Sequence, residues 1–335
     1  MRVVILYNLP AETPESGAAV WRESDEGVLN EVAVVAAALT QLAIPFRQAG
    51  VRRLADIPAA LAADPGAVVF NLVERLDGGL TQFNFVPAVC AALGHSCTGG
   101  TADCLTLTLD KWLAKARFRA CGVATPWATV VAPGKAIDPP SLPPPPQIVK
   151  PVGSDGSEGI DGLSLAADAA GLEAAVRRVH VQCGQPALVE QYIAGREFNL
   201  SLFERAGRVE VLPLAEIDFS FFPAGRPHVV DYAVKWIPGT IPGRVAPRQV
   251  PAQVDEATAE RLREQALGAW YACECRDYVR VDLRVDSAGR PFVLEVNANP
   301  DLSPKAGFPA SLAAAGIPFA EFVRQLIANA AGRVG

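Results

Sequence analysis

"YVRVDLRVDSAGRPFVLEVNANPDLSP", residues 278–304, is the stretch on which the reading of this chain turns. Val279, Val281, Leu283 and Val285 alternate with Arg280, Asp282, Arg284 and Asp286, the period of a strand with one buried and one polar face. The returning run alternates as well, with Phe292, Leu294 and Val296 against Val293, Glu295 and Asn297. A two-residue turn at Ala288 and Gly289 would close a hairpin in which Leu283 faces Leu294, Asp282 faces Glu295 and Arg280 faces Asn297. A slip of one residue would set Asp282 against Leu294 and misalign every apolar partner.

Opposed side chains in such a ladder lie about 5 Å apart, where two carboxylates repel. Magnesium suits the gap between Asp282 and Glu295, because both carboxylates and the Asn297 amide offer oxygen ligands. The alternative is a solvated charged face balanced by Arg280 and Arg284. Magnesium held by few protein oxygens leaves room for substrate phosphates, so a phosphate site is expected elsewhere. "IVKPVGSDGSEGI" offers one: Lys150 ends a strand, and the Gly- and Ser-rich loop after it can bring backbone N–H groups close to an anion. An ordinary flexible hairpin is the competing reading, since the loop lacks the G-K-[ST] of a Walker A motif.

The 335 residues allow two or three domains, and half of them are apolar, as in a soluble enzyme. The formal charge of -6 provides no basic field for nucleic acid, and no apolar run suggests a signal peptide or a membrane span. These features predict a cytoplasmic protein without nucleic-acid or membrane partners. Seven scattered cysteines suggest reduced thiols, and isolated histidines leave Cys273 and Cys275 without partners for zinc.

The first hundred residues alternate strand and helix, which predicts an open α/β unit with a parallel sheet. No G-x-G-x-x-G follows the first strand, so a Rossmann cofactor is not expected. One long helix is predicted over residues 102–121, ending at Gly122. The proline-rich "PPSLPPPPQ" reads as a stiff connection. Further helices are expected near residues 167–179, 255–275 and 319–330, and "DYAVKWIP" is expected in a loop.

Five segments taken in order resemble the ATP-grasp superfamily, most closely its D-alanine–D-alanine ligase branch: "TLTLDKWLAKARFRACGVATPWATV", "IVKPVGSDGSEG", "LVEQYIAGREFNLSLF", "DYAVKWIP" and the hairpin above. The resemblance implies an α/β protein, α+β in its ATP-binding part, with ATP clasped between two antiparallel sheets. It implies an N-terminal α/β domain over residues 1–101, a central ATP-grasp subdomain over 102–195 and a C-terminal one over 196–335. It assigns Lys111, Lys150 and Lys235 to the nucleotide phosphates, residues 155–159 with Ser157 to a lid, and Glu190 with the backbone of Gln191 to Ile193 to adenine. Glu197 would hold the ribose, Arg280 the developing oxyanion, and Asp282, Glu295 and Asn297 two magnesium ions, with manganese as a substitute. Taken alone, Lys111 reads as a solvated helix lysine and Glu190 as a strand-end charge.

The implied activity is ATP-dependent joining of a small-molecule carboxylate and an amine through an acyl phosphate; a homodimer is compatible with it. Alternatives on the same fold are a small-molecule kinase and a nucleotide-binding module without catalysis. The chain departs from the branch where substrate is oriented. Gly156 replaces a lid serine, Trp236 a tyrosine, and "SPKAGF" offers Lys305 and Ala306 in place of a serine that meets a carboxylate. The family's first-loop glutamate has no clear counterpart in "YNLPAETPESG". These departures predict a substrate other than D-alanine.

Overall fold

A computed structural model describes residues 1–10, 22–237, 239–240 and 247–333, and the side chains of residues 22–26 are outside the description. Most of the first loop, residues 11–17, where the family glutamate was sought, therefore lies outside the described residues. The chain opens with β1 (Val3–Asn8), α1 (Arg22–Gln41), β2 (Phe46–Val51), α2 (Ile57–Leu61), β3 (Val68–Leu72) and α3 (Val86–Ala92). It continues through α4 (Ala102–Leu109), α5 (Lys111–Ala120), β4 (Ala128–Val131), β5 (Gln147–Pro151), β6 (Leu165–Ala166), α6 (Ala169–Cys183) and β7 (Ala187–Gln191). The last part holds β8 (Arg196–Arg205), β9 (Arg208–Val211), β10 (Ala215–Ile217), α7 (Tyr232–Trp236), β11 (Arg248–Gln249), α8 (Glu256–Ala272), β12 (Tyr278–Val285), β13 (Pro291–Asn297), α9 (Gly307–Ala314) and α10 (Phe319–Ala331).

The first sheet is parallel, in the order β2-β1-β3. β1 and β3 are nearly continuous apolar runs because both faces are covered, whereas β2 carries Arg47 and Gln48. Val3 and Ile5 pack with α1 and α10, while Val4 and Leu6 pack with α2 and α3. Two antiparallel sheets follow, β4-β7-β5-β6 and β11-β10-β8-β12-β13, with β9 alongside β8. In each, alternate residues divide the work: Val149 and Val189 pack with α6, and Val279, Val281 and Leu283 pack with α5 and α8. The residues between them, Lys150, Glu190, Arg280, Asp282 and Arg284, line a cleft between the sheets.

Three expectations need correction. The long helix over 102–121 is two helices, because Asp110 turns to an extended ψ of 98° and caps α5, its carboxylate accepting from Trp112 and Leu113 N–H. "DYAVKWIP" is not all loop: Asp231 accepts from Val234 N–H and starts the short α7. The hairpin turn is not two residues long either. Asp286 pairs with Arg290, Gly289 takes a φ of 74° and donates to the Asp286 carbonyl, and the loop is Ser287–Ala288–Gly289. Leu283 consequently pairs with Val293, not Leu294. A bulge between Asp282 and Leu283 then restores the anticipated register, with Asp282 opposite Glu295 and Arg280 opposite Asn297. It also lets both Val293 and Val296 reach the core, so Phe292 and Leu294 do not form the buried face.

Candidate active site

The bulge places Leu294 and Glu295 together in the cleft, next to Asp282 from the neighbouring strand. Asp282 is clasped by Arg280 in two parallel bonds of 2.8 Å, and accepts from Asn199 Nδ2 at 2.7 Å and Asn297 Nδ2 at 3.2 Å. Burial alone would raise the Glu295 pKa, yet Lys111, Lys150, Arg280 and Lys235 hold it down at about 2. Burial would equally discourage the charge on Arg280, but the Asp282 carboxylate raises its pKa above the ordinary value. Two opposed carboxylates, one held firmly ionised, with an amide beside them make an all-oxygen donor set that fits magnesium. Asn297 bonds Asp282 through its amide nitrogen, and its amide oxygen is a separate acceptor.

The opposite wall carries the lysines. Lys111 is the first residue of α5, its backbone N–H bonded to the Val152 carbonyl at 3.0 Å, and its ammonium donates to the Ser154 carbonyl and lies 3.5 Å from Glu295 Oε2. Only 4% of Lys111 is exposed, so it is not a solvated helix lysine. Glu190 is not a free strand-end charge: it sits between Lys150 Nζ at 2.9 Å and Lys115 Nζ at 2.5 Å. Burial pushes the Lys115 pKa down to about 8 despite Glu190. Burial acts on Lys150 in the same sense, but Glu190 outweighs it and the net shift is upward. Lys115 also reaches Thr125 Oγ1 at 3.0 Å and the Leu294 carbonyl at 3.2 Å, tying the lysine wall to the bulge.

The cleft is lined by the apolar side chains of Ile148, Ile160, Ile193, Ile217 and Leu294 and by the cations Lys150, Lys235 and Arg280. Gln191 and Glu197 line it too. Burial raises the Glu197 pKa to about 7, against the pull of Arg284, whose Nη1 lies 3.6 Å away. Over the cleft lies the Gly-rich loop. Ser157 adopts a φ of 63° and its hydroxyl donates to the Val230 carbonyl at 2.8 Å. Gly156 has a φ of 65°, which glycine tolerates, and its carbonyl accepts from Trp236 Nε1 at 2.8 Å. The two departures from the family pattern thus bond to each other.

Beyond that loop lies a second cavity, lined by Glu31, Glu74, Asp155, Asp301, Lys235 and Arg280, among others. Gly156 and Trp236 line it, whereas Lys305 is exposed and lines neither cavity. Of the residues the resemblance assigns by name to nucleotide, oxyanion or magnesium, all except Lys111 and Asn297 line the cleft; Lys111 is linked to it through Glu295, and Asn297 lines the second cavity. Sequence reasoning missed Lys115, Asn199, Glu31 and Glu74. Lys115 stands four residues after Lys111, on the same helix face, and Glu31 interrupts the apolar face of Val28 and Val35. Those spacings were usable signals; Asn199 and Glu74 carried none.

Comparison with known proteins agrees with this architecture. Residues 144–328 match the family described as D-ala D-ala ligase C-terminus. The D-alanine–D-alanine ligase of Synechococcus sp. (strain JA-3-3Ab) is 32% identical, over 83% of this chain and 81% of that protein. An uncharacterized protein of Sinorhizobium fredii is 34% identical, over 81% of this chain and 76% of its own length. The crystal structure of D-alanine–D-alanine ligase from Bacillus anthracis complexed with ATP shares the fold, with a TM-score of 0.73 at 21% identity over 100% of this chain and 98% of that one. With a matched domain model over most of the clasping sheets and full-length likeness in fold, the chain belongs to the D-alanine–D-alanine ligase family of ATP-grasp proteins, ATP-dependent ligases that form carbon–nitrogen bonds.

Proposed function

We propose that this chain uses ATP to activate a small carboxylate as an acyl phosphate and joins it to an amine, releasing ADP and phosphate, with a substrate other than D-alanine. The observation that carries this reading is the opposition of Asp282 and Glu295 across the bulged hairpin, beside lysines and in a cleft that also has apolar lining. In the proposed complex adenine packs on the apolar lining residues, with Glu190, Gln191 and Ile193 at its edge, and Glu197 meets the ribose. Lys111, Lys150 and Lys235 lie along the phosphates. Asp282, Glu295 and Asn297 would hold magnesium, which supplies charge neutralisation at the transferring phosphoryl group.

A carboxylate is a poor electrophile, and phosphorylation supplies a leaving group. Arg280 stands where the two cavities meet, placed to stabilise the negative oxygen that forms when the amine attacks. Lining residues from the three sequence segments 1–101, 102–195 and 196–335 meet around the second cavity, in keeping with the proposed three-domain division. The Gly156–Ser157 loop, pinned to Trp236 and Val230, would exclude water from the acyl phosphate. The choice against D-alanine rests on Gly156 and Trp236, which satisfy each other and so offer a small zwitterion no spare hydroxyl.

The test is mass spectrometry of products after incubation with ATP, magnesium and mixed amino acids and amines. An amide formed in step with ADP and phosphate is expected. A stable phosphorylated product would replace the reading with a kinase, and the highest kcat/KM with D-alanine would overturn the substrate assignment.

A further inference from the structure

The second cavity holds an unbalanced charge. Its lining includes two charges already matched: Arg75 pairs with Glu158, and Arg280 with Asp282. Among the described residues, the remaining lining charges are the carboxylates Glu31, Glu74, Asp155 and Asp301 against the one ammonium of Lys235. Glu31 is only 3% exposed. One of its oxygens accepts from Leu302 N–H at 2.9 Å, and no donor among the described residues meets the other. Glu74 lines the same space, and no donor among the described residues reaches its carboxylate. Burial, then the neighbouring Glu74 and Asp301, push the Glu31 pKa well up; burial and Asp301 raise Glu74 to about 8. Lys235 lines the nucleotide cleft as well, so its turning toward a phosphate would leave these acids with no lining cation, among the described residues, that is not already paired elsewhere.

A single metal ion does not answer the imbalance, because among the described residues no three acid, histidine or cysteine side chains are grouped closely enough to hold one. An organic cation does. Phe83, Leu105, Leu109 and Val296 supply an apolar wall along the same cavity, and Trp236 an aromatic face. We propose that this cavity receives a substrate carrying, in addition to its reacting amine or amino-acid α-ammonium, a second ammonium or guanidinium group at the far end of a short hydrocarbon stem, that cation held by Glu31, Glu74 and Asp301 and the reacting end directed toward Arg280. The assignment rests on the ligase reading above and names the substrate class of that site.

The test compares compounds that carry this distal cation, the cationic members, with counterparts of similar shape whose distal end is uncharged, the neutral members: lysine with norleucine, arginine with citrulline, and putrescine with butylamine, the amino acids in both enantiomers. Phosphate release should give the cationic member of at least one pair about a tenfold or greater advantage in kcat/KM, the size expected for a charged hydrogen bond in a partly buried site. Glu74→Gln should shrink that advantage severalfold, with calorimetric affinity for a non-hydrolysable ATP analogue reporting that the variant is folded. Direct binding separates the two readings. Calorimetry with the same analogue present should show the cationic compound binding more tightly than its neutral counterpart, and that result without any amide product would sink the ligase reading alone. Equal or better performance of every neutral member, or no binding and no turnover with any cationic compound, would overturn the proposal.

Discussion

The nucleotide cleft and the second cavity share Gly156, Lys235 and Arg280 in their walls, but they treat charge in opposite ways. In the cleft most buried charges are mutually matched, Glu190 between Lys115 and Lys150, Asp282 against Arg280, Glu295 beside Lys111, and Glu197, raised to about 7, is the exception. In the cavity Glu31 and Glu74 repel each other and Asp301, and the protein raises their pKa values instead of pairing them. Burying unpaired charge is costly, so a fold tolerates it where a ligand completes the pairing. On the proposed reading, the first region is arranged before its nucleotide arrives, and the second waits for its partner.

The contrast breaks most visibly if the cleft's matched charges do not matter. Glu295→Gln keeps the volume and removes the charge, and should lower turnover a hundredfold or more, about the loss expected when an electrostatic element of phosphoryl transfer is removed. Steady-state ADP formation checks it, with a circular dichroism melt showing the fold intact; near-normal magnesium-dependent turnover would remove the metal role. Next in size is Lys115→Met, which leaves Glu190 with one partner in a buried setting and should cost about 3–5 kcal/mol of stability. Denaturant unfolding measures this, and Glu190→Gln in the same chain should recover part of the loss.

A subtler effect sharpens the other side of the comparison. Because the Glu74 pKa is about 8 in the folded chain against 4.5 as its ordinary value, the folded state holds an extra proton between those values, and stability falls as pH rises through that window. Glu74→Gln should therefore match the parent near pH 4.5 and melt several degrees higher above pH 8. Melts that differ equally at both pH values would show that Glu74 is not strained by its neighbours. The smallest effect belongs to Trp236→Phe, which removes the bond to the Gly156 carbonyl and should change kcat only severalfold, chiefly through looser closure of the loop. An unaltered kcat together with unaltered proteolytic sensitivity at the loop would show that this bond does not hold it.

Much of the cleft was legible because its residues are close in sequence to strong local patterns. Alternation alone set Asp282 against Glu295, and the ordered motifs singled out Lys150, Glu190 and Lys235, which line one cleft, and Lys111, linked to it through Glu295. The turn was misjudged by one residue, and a bulge corrected it before the register reached the carboxylates. Local period predicts which way side chains point, but a bulge depends on what both faces must pack against: here Val293 and Val296 in the core and Leu294 in the cleft.

The second cavity was not legible, for a different reason. Glu31 lies on α1, Glu74 follows β3, Lys235 is on α7 and Asp301 follows β13, so no window of sequence contains the constellation. The sequence by itself determined the alternation, the helix caps and the order of motifs, all consequences of forces acting over a few residues. Only the tertiary structure decided which distant carboxylates share one cavity and which lysines are withdrawn from water. Burial and long-range Coulomb interactions act through space, and their strength depends on packing that no local pattern encodes.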